Sequence, residues 1–288
     1  MKKIKISIVS LMLVCASFYV NNNAYADNTK SSTVQTVSED SQLDWSKNII
    51  KVTGSGAPPD KGNMAQKRNM AIRAAKLDAY RQLLEIVNGI HVSSETIVKD
   101  FVTESDVVKT KVEGILKGFE QVGEPRYMSD GSVEVDVQIK IFGKGSVASA
   151  IMPEEIKKIS TDTIPNTKIE AEEVKEDYTG IIIDCKGLGA KPAMSPALFD
   201  SNGGQLYVGD LKIDPDYVIN EGIVSYAESV TDAKKIDRAG ANPLIIKAIK
   251  ASGNFKSDII LKNEDAKKLL GANKATNVLE KFKVIMVL

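Results

Sequence analysis

From Val133 to Ile141 the apolar residues Val133, Val135, Val137, Ile139 and Ile141 alternate without a break with Glu134, Asp136, Gln138 and Lys140. Successive side chains of a strand point to opposite faces, so this segment predicts a strand with one dry face and one wet face, as in an antiparallel sheet covered on one side. The turn signal Ser129-Asp130-Gly131 places it in a hairpin with the segment from Gly123 to Met128. A dry face needs a cover, and two helices are predicted nearby. In the first, Asn63 and Gln66 form a capping box, Ile72, Ala75, Ala79, Leu83 and Ile86 recur at helical spacing, and Gly89 follows Asn88 as a left-handed cap. The second starts at about Ser105, carries Val108, Val112, Ile115 and Phe119 on one stripe, and ends near Gly118. Strands are predicted for Asn48 to Thr53, stopped by Gly54-Ser55-Gly56 and Pro58-Pro59, and for His91 to Val98. Residues 45–142 therefore read as an α+β domain, two helices packed on an antiparallel sheet.

The flanking segments read differently. Residues 27–44 are rich in Ser, Thr, Gln and acids without an apolar period, the composition of a disordered tether. Residues 143–177 read as a charged linker: Pro153 argues against a helix, Glu154-Glu155 open only a short amphipathic turn, and an acidic run extends from Glu170 to Asp177. Residues 178–288 form a second α+β domain. Its predicted strands are Gly180 to Cys185, Leu244 to Ala251, Asp258 to Leu261 and Phe282 to Leu288. A hairpin turns at Ser201-Asn202-Gly203-Gly204, a helix over Glu264 to Leu270 is opened by Asn263, and Tyr217 to Ser229 leans towards helix. With 43% apolar residues in 288 positions, two modest cores are expected.

The first residues have the form of a secretory signal. Lys2, Lys3 and Lys5 precede an uncharged, mostly apolar run from Ile6 to Val20, and Ala24-Tyr25-Ala26 supplies the small-residue cleavage pattern. The run is shorter than the roughly 20 residues a membrane-spanning helix needs. Residues 1–26 are thus expected to be removed after Ala26 and the product to be periplasmic. Acylation at Cys15 is the alternative, but Val14 stands where lipoprotein processing wants Gly, Ala or Ser. Once Cys15 leaves with the signal, Cys185 is a lone thiol and no intramolecular disulfide can form. Losing the three lysines leaves acidic residues slightly in excess, which argues against a nucleic-acid or anionic-membrane partner.

No residue pattern nominates a catalytic, cofactor or metal site. Gly187-Leu188-Gly189-Ala190 follows a strand, as a phosphate loop would, but Pro192 and Pro196 obstruct the helix that must receive the phosphate. Asp200-Ser201-Asn202 begins like a calcium loop and then lacks the glycine and the final Glu. Asp210, Asp214 and Asp216 read as exposed loop acids, the only histidine, His91, as structural or surface, and Cys185 as a buried inert thiol. No Gly-x-Ser-x-Gly, His-Glu-x-x-His or Cys-x-x-Cys occurs.

The stretch from Met70 through Ala74-Ala75-Lys76-Leu77-Asp78-Ala79-Tyr80-Arg81 to Glu85, followed by Val92-Ser93-Ser94, Val98-Lys99-Asp100-Phe101, Val112-Glu113-Gly114 and Asp130-Gly131-Ser132-Val133-Glu134-Val135, resembles a family of small outer-membrane lipoproteins. That family includes the flagellar basal-disc lipoprotein FlgP. The N-terminal domain of the flagellar ring assembly protein FlgT is similar. The second domain is similar only to C-terminal regions of uncharacterised exported proteins. The resemblance implies an interaction module that assembles on itself or on an envelope protein, with outer-membrane or flagellar association and no catalytic role. The expectation is a non-enzymatic periplasmic interaction or assembly protein without cofactor or metal. The alternative is a periplasmic small-molecule or glycan binding protein using loops near Gly187 to Pro196.

Overall fold

A computed structural model describes residues 33–38, 40–161, 166–208 and 214–288. The signal segment and Cys15 lie outside the described residues. The chain is mixed α+β. Its first part comprises β1 (Val34–Ser38), β2 (Ser41–Asp44), β3 (Ile49–Gly56), α1 (Met64–Asn88), α2 (Val98–Glu104), α3 (Asp106–Lys117), β4 (Glu120–Gln121), β5 (Arg126–Tyr127), β6 (Val133–Lys140) and α4 (Val147–Thr161). These strands form one antiparallel sheet in the order β1-β2-β3-β6-β4, with β5 also pairing β6.

The alternation of β6 faces as expected: Val133, Val135, Val137 and Ile139 are buried, while the intervening charged and amide residues stay at least partly in solvent. The strand before it runs further than its glycines suggested. Gly54 and Gly56 sit inside β3 because α1 crosses directly over them. A Cβ on Gly54 would collide with Ala75 O and Ala79 N, and one on Gly56 with Ala71 O and Ala75 N. The glycines are contact points between helix and sheet. Helix α1 starts with the reciprocal box, Asn63 Oδ1 accepting from Gln66 N at 2.9 Å and Gln66 Oε1 accepting from Asn63 N at 3.0 Å. It buries Ala71, Ala75, Ala79, Leu83, Ile86 and Val87. Gly89 ends it in a right-handed conformation, φ −88°, rather than the left-handed cap expected.

Four expectations for this half need correction. The described part of the expected tether is not one: Val34–Ser38 and Ser41–Asp44 pair as β1 and β2, and β2 pairs with β3, so tertiary hydrogen bonding outweighs a polar composition, while residues 27–32 lie outside the described residues. The segment from His91 to Val98 is a loop closed by a single bridge between His91 and Ile97, and α2 begins where that strand was expected to end. Three helices therefore accompany this sheet before β6, not two. Residues 147–161 are the helix α4, with Pro153 inside it. An interior proline costs about 3 kcal/mol, but Val147, Ala148, Ala150, Ile151 and Met152 are all essentially inaccessible. Burying the larger three contributes about 1.5–3 kcal/mol apiece, so burial prevails. The rest of the expected linker, from Thr167 to Tyr178, is an extended strap. Glu172 N donates to Lys267 O at 3.1 Å.

The second part contains β7 (Gly180–Asp184), β8 (Leu198–Phe199), β9 (Gln205–Tyr207), α5 (Pro215–Glu221), β10 (Ser225–Ala227), α6 (Val230–Ala233), β11 (Pro243–Lys247), β12 (Lys250–Ser252), β13 (Asp258–Ile260), α7 (Asn263–Thr276) and β14 (Val284–Val287). It holds two four-stranded sheets, a parallel one ordered β10-β14-β7-β11 and a mixed one ordered β12-β13-β8-β9. The strand expected from Leu244 to Ala251 is two strands that belong to different sheets. The segment from Tyr217 to Ser229 is split between α5 and β10 at Gly222, whose φ of +73° ends the helix. Opposite that glycine lies the Phe142 ring, which a Cβ would press at 3.0 Å.

The two parts do not keep separate cores. One contiguous apolar cluster runs from Leu43 and Trp45 through α1, α4, β7 and α7 to Leu288, and only a small satellite around Ile182, Ala233 and Ile285 stands apart. Trp45 packs edge-on against Tyr226 at 5.6 Å between ring centroids. Gly143 N donates to Ile219 O at 2.8 Å, adding a backbone link beside the Phe142–Gly222 contact.

Candidate functional site

The loop between α1 and α2 meets two loops of the second part, and a polar cleft opens at their junction. His91 stacks on Phe255 with centroids 4.5 Å apart. His91 O and Val92 O accept from Met194 N and Ser195 N at 3.0 and 2.6 Å, and Ser94 O accepts from Phe255 N at 3.0 Å. Gly253, at φ +81°, permits the approach, since a side chain there would strike Ser94. Glu95 accepts from Asn254 through both carboxylate oxygens. The cleft beyond these contacts holds about 190 Å³ and is lined by Ser94, Glu95, Glu155, Lys158, Gln205 and Asp258, among others.

Asp258 is the most distinctive group in it. Burial pushes its carboxyl above the usual carboxylate range, against hydrogen bonds that favour the charged form. Ser94 Oγ donates to Oδ2 at 2.5 Å and Ala197 N to Oδ1 at 3.0 Å. Oδ2 thus ties the second part to the first through Ser94, while Oδ1 holds the Ala197 backbone within the second part. Glu155, also buried, comes from α4 on the opposite wall. The cleft brings three carboxylates, a lysine and three serines within one small space, a convergence that sequence spacing conceals because Ser94 and Asp258 are 164 positions apart.

Of the residues weighed from sequence, His91 stands at the junction and Ser195, from the loop Gly187 to Pro196, lines the cleft; the others fall elsewhere. Cys185 is buried beside Asp184, and burial together with that carboxylate pushes its thiol up to about 12, so the thiolate is scarce at neutral pH. Burial, assisted by the Lys191 charge and opposed by a hydrogen bond to the Pro192 backbone, lowers the pKa of His91. Asp200 spends its carboxylate on its own loop, accepting from Asn202 N and Gly204 N, and on the start of the strap, accepting from Thr167 Oγ1. Asp214 caps α5 by accepting from Asp216 N at 3.0 Å and Tyr217 N at 3.5 Å. Asp216 is exposed, and Asp210 lies outside the described residues. No group of three or more His, Cys, Asp or Glu side chains able to hold a metal occurs among the described residues. The loop from Gly187 to Pro196 is only half open: Gly187 and Gly189 face free space, whereas Ala193, Met194 and Ser195 are buried against the first part.

Residues 180–288 match the family model of the second domain of Treponema pallidum Tp0624. That match starts at the first residue of β7 and covers both sheets of the second part. Among curated proteins, no match is found.

Tyr226 and Arg238 organise that matched region and carry no sequence signal. Tyr226 Oη donates to Ala193 O at 2.7 Å and accepts from Ala193 N at 2.9 Å. Arg238, 6% exposed, forms no ion pair among the described residues. Instead its Nη1 donates to Gly222 O, Ile223 O and Phe282 O at 3.2, 2.9 and 2.8 Å, and its Nη2 to Glu221 O and Gly222 O at 2.7 and 3.2 Å.

A second surface is notable for what it leaves uncovered. The inner face of α1 packs on β3 and β6. On the outside Met64, Met70 and Leu77 are 79%, 48% and 52% exposed. Arg73 and Arg81 are exposed on the same side as Leu77, four residues to either side of it, and Arg68 stacks over Tyr127 at 4.7 Å.

Proposed function

We propose that this chain is an exported, non-enzymatic interaction module of the cell envelope that binds its partner through the outer face of α1. The observation that carries this reading is the exposed pair Met70 and Leu77, on one face of α1 beside Arg73 and Arg81, which form no ion pair among the described residues. Isolated exposed apolar residues are ordinary, but large ones aligned on a helix that already packs its other face favour a docking surface. The cleft supports the same reading in another way: Asp258 spends Oδ2 on Ser94 across the two parts and Oδ1 on Ala197 N within its own, which suits a structural joint better than a general base. The resemblance of residues 45–142 to the FlgP-like lipoproteins and to the N-terminal domain of FlgT supports assembly on an envelope structure and extends the proposal to flagellar assembly. The secretory features of residues 1–26 support a periplasmic address.

Chemical crosslinking in intact cells tests the proposal. Wild-type chain is expected to give adducts that disappear in a Met70→Glu, Leu77→Glu variant of unchanged circular dichroism. A strict monomer without adducts would sink it.

A second reading, a small-molecule or glycan binding protein, is favoured by the cleft of about 190 Å³ with its serines, amide and carboxylates. Its test is a thermal-shift screen with sugars and small polar metabolites, in which a ligand of the cleft raises Tm by mass action.

A further inference from the structure

The chain carries two oppositely charged surfaces that its own fold leaves unmatched. From Lys61 to Arg81 there are six cations, Lys61, Lys67, Arg68, Arg73, Lys76 and Arg81, against one acid, Asp78, which accepts from Ser55 N and Gln82 Nε2; Arg73 and Arg81 flank Leu77 on the outer face, while Arg68 lies over Tyr127. The first turn of α1 has no acidic residue, so the positive end of the helix dipole is reinforced by cations instead of being offset. That arrangement contributes nothing to the helix. None of these cations forms an ion pair among the described residues.

The opposite charge lies on the strap. Glu170, Glu172, Glu173, Glu176 and Asp177 are all exposed, with only Lys175 among them. The strap is fastened to α7: besides the bond from Glu172 N to Lys267 O, Gly271 makes room for Glu172 O and Val174, where a Cβ would collide. Its carboxylates therefore project from packed backbone and keep their spacing. Lys267 and Lys268 on α7 form no ion pair with them.

We propose that the outer face of α1 on one molecule docks on the Glu170–Asp177 strap of a second copy. This rests on the reading of the chain as an interaction module and names the partner. The contact is heterologous, because helix and strap are different surfaces. A docked pair keeps one helix face and one strap free, and the contact propagates into a ring or a filament. Charge complementarity sets its orientation, and the ridge of Met70 and Leu77 supplies the apolar part of the contact. Net charge near zero conceals this, since it averages a basic face with an acidic one.

Sedimentation velocity of the full chain recovered after export tests the contact. Species larger than a dimer are expected at low salt and monomer at about 0.5 M, where the screening length falls to a few ångströms. Arg73→Glu with Arg81→Glu, or Glu172→Lys with Glu173→Lys, should each weaken association about tenfold or more. An equimolar mixture of the two variants should restore it, because each supplies the surface the other lacks. Circular dichroism and Trp45 fluorescence confirm that the variants fold. Monomer at every salt concentration, or association indifferent to both reversals, overturns the inference. So does a monomer whose Arg73 and Arg81 are required for binding vesicles of anionic phospholipid, which would assign the face to a bilayer. In each of these cases adducts in intact cells that depend on Met70 and Leu77 would leave the interaction module standing, so the two failures are distinguishable.

Discussion

Replacing Arg238 with Met keeps the length of the side chain and removes five hydrogen bonds to four backbone carbonyls, those of Glu221, Gly222, Ile223 and Phe282. Ile223 O retains a partner in Tyr207 Oη at 2.7 Å, so three carbonyls lose the bonds that Arg238 gave them. A buried polar group left unmade costs about 1–3 kcal/mol, while the wild type bears the cost of desolvating a guanidinium. Setting one against the other gives a net loss of about 3–5 kcal/mol, the range seen when one side of a buried charged arrangement is removed. Because these carbonyls join the end of α5 and the start of β10 to the chain entering β14, the damage should spread to Tyr226 and so to Trp45. Urea unfolding followed by Trp45 fluorescence should show the midpoint falling by about 1–2 M, taking a slope of about 2–3 kcal/mol/M for a protein of this size. Arg238→Lys, which keeps the charge but not the planar fork, should lie between. A midpoint within about 0.3 M of wild type for Arg238→Met would refute the reasoning, since it would mean that the carbonyls are satisfied without the guanidinium.

Asp258→Asn can keep both contacts, Oδ1 accepting from Ala197 N and Nδ2 donating to Ser94 Oγ, while removing a carboxyl whose pKa is raised on folding. The raised pKa means that Asp258 favours the fold below the unfolded carboxylate pKa and that this contribution is lost as pH rises through the folded value, so the variant should gain on wild type between acidic and neutral pH in urea titrations. Asp136 behaves oppositely: hydrogen bonds from Arg126 lead the causes that lower its pKa, so its contribution is present above the ordinary carboxylate pKa and lost as pH falls below it, and Asp136→Asn should erase that acid-side dependence. Gly54→Ala should lower stability by about 1–3 kcal/mol, measured by thermal unfolding, because its Cβ meets the backbone of α1. Cys185 should resist alkylation in native protein at mildly alkaline pH and react once the chain is unfolded in urea; prompt labelling of native protein would contradict its burial.

What could be read from the sequence was local. The alternation in β6 and the period of α1 are repeated many times over within one element, and burial of Val133 to Ile139 and of Ala71 to Val87 follows them. The β1–β2 hairpin was illegible because its stability comes from the free edge of β3, which no composition reveals. In α4 a single proline outweighed six buried residues at the level of pattern, although burial decides the energy. The cleft was illegible for a different reason: Ser94, Glu155 and Asp258 sit on three separate elements, and only the shared core brings them together. Arg238 has no sequence signal, since its partners are carbonyls and carbonyls have no signature in sequence. The acidic run Glu170 to Asp177 was visible as composition, but only the fold shows it as a strap fixed on α7.

The docking role of α1 is tested most directly by placing a photo-crosslinking amino acid at Met70 or at Leu77, with Lys109 on α3 as a control, and illuminating intact cells. Covalent adducts from both α1 positions and none from Lys109 are the predicted result. Adducts absent at Met70 and Leu77, or equally strong at Lys109, would contradict the claim that this helix face is where the protein meets its partner.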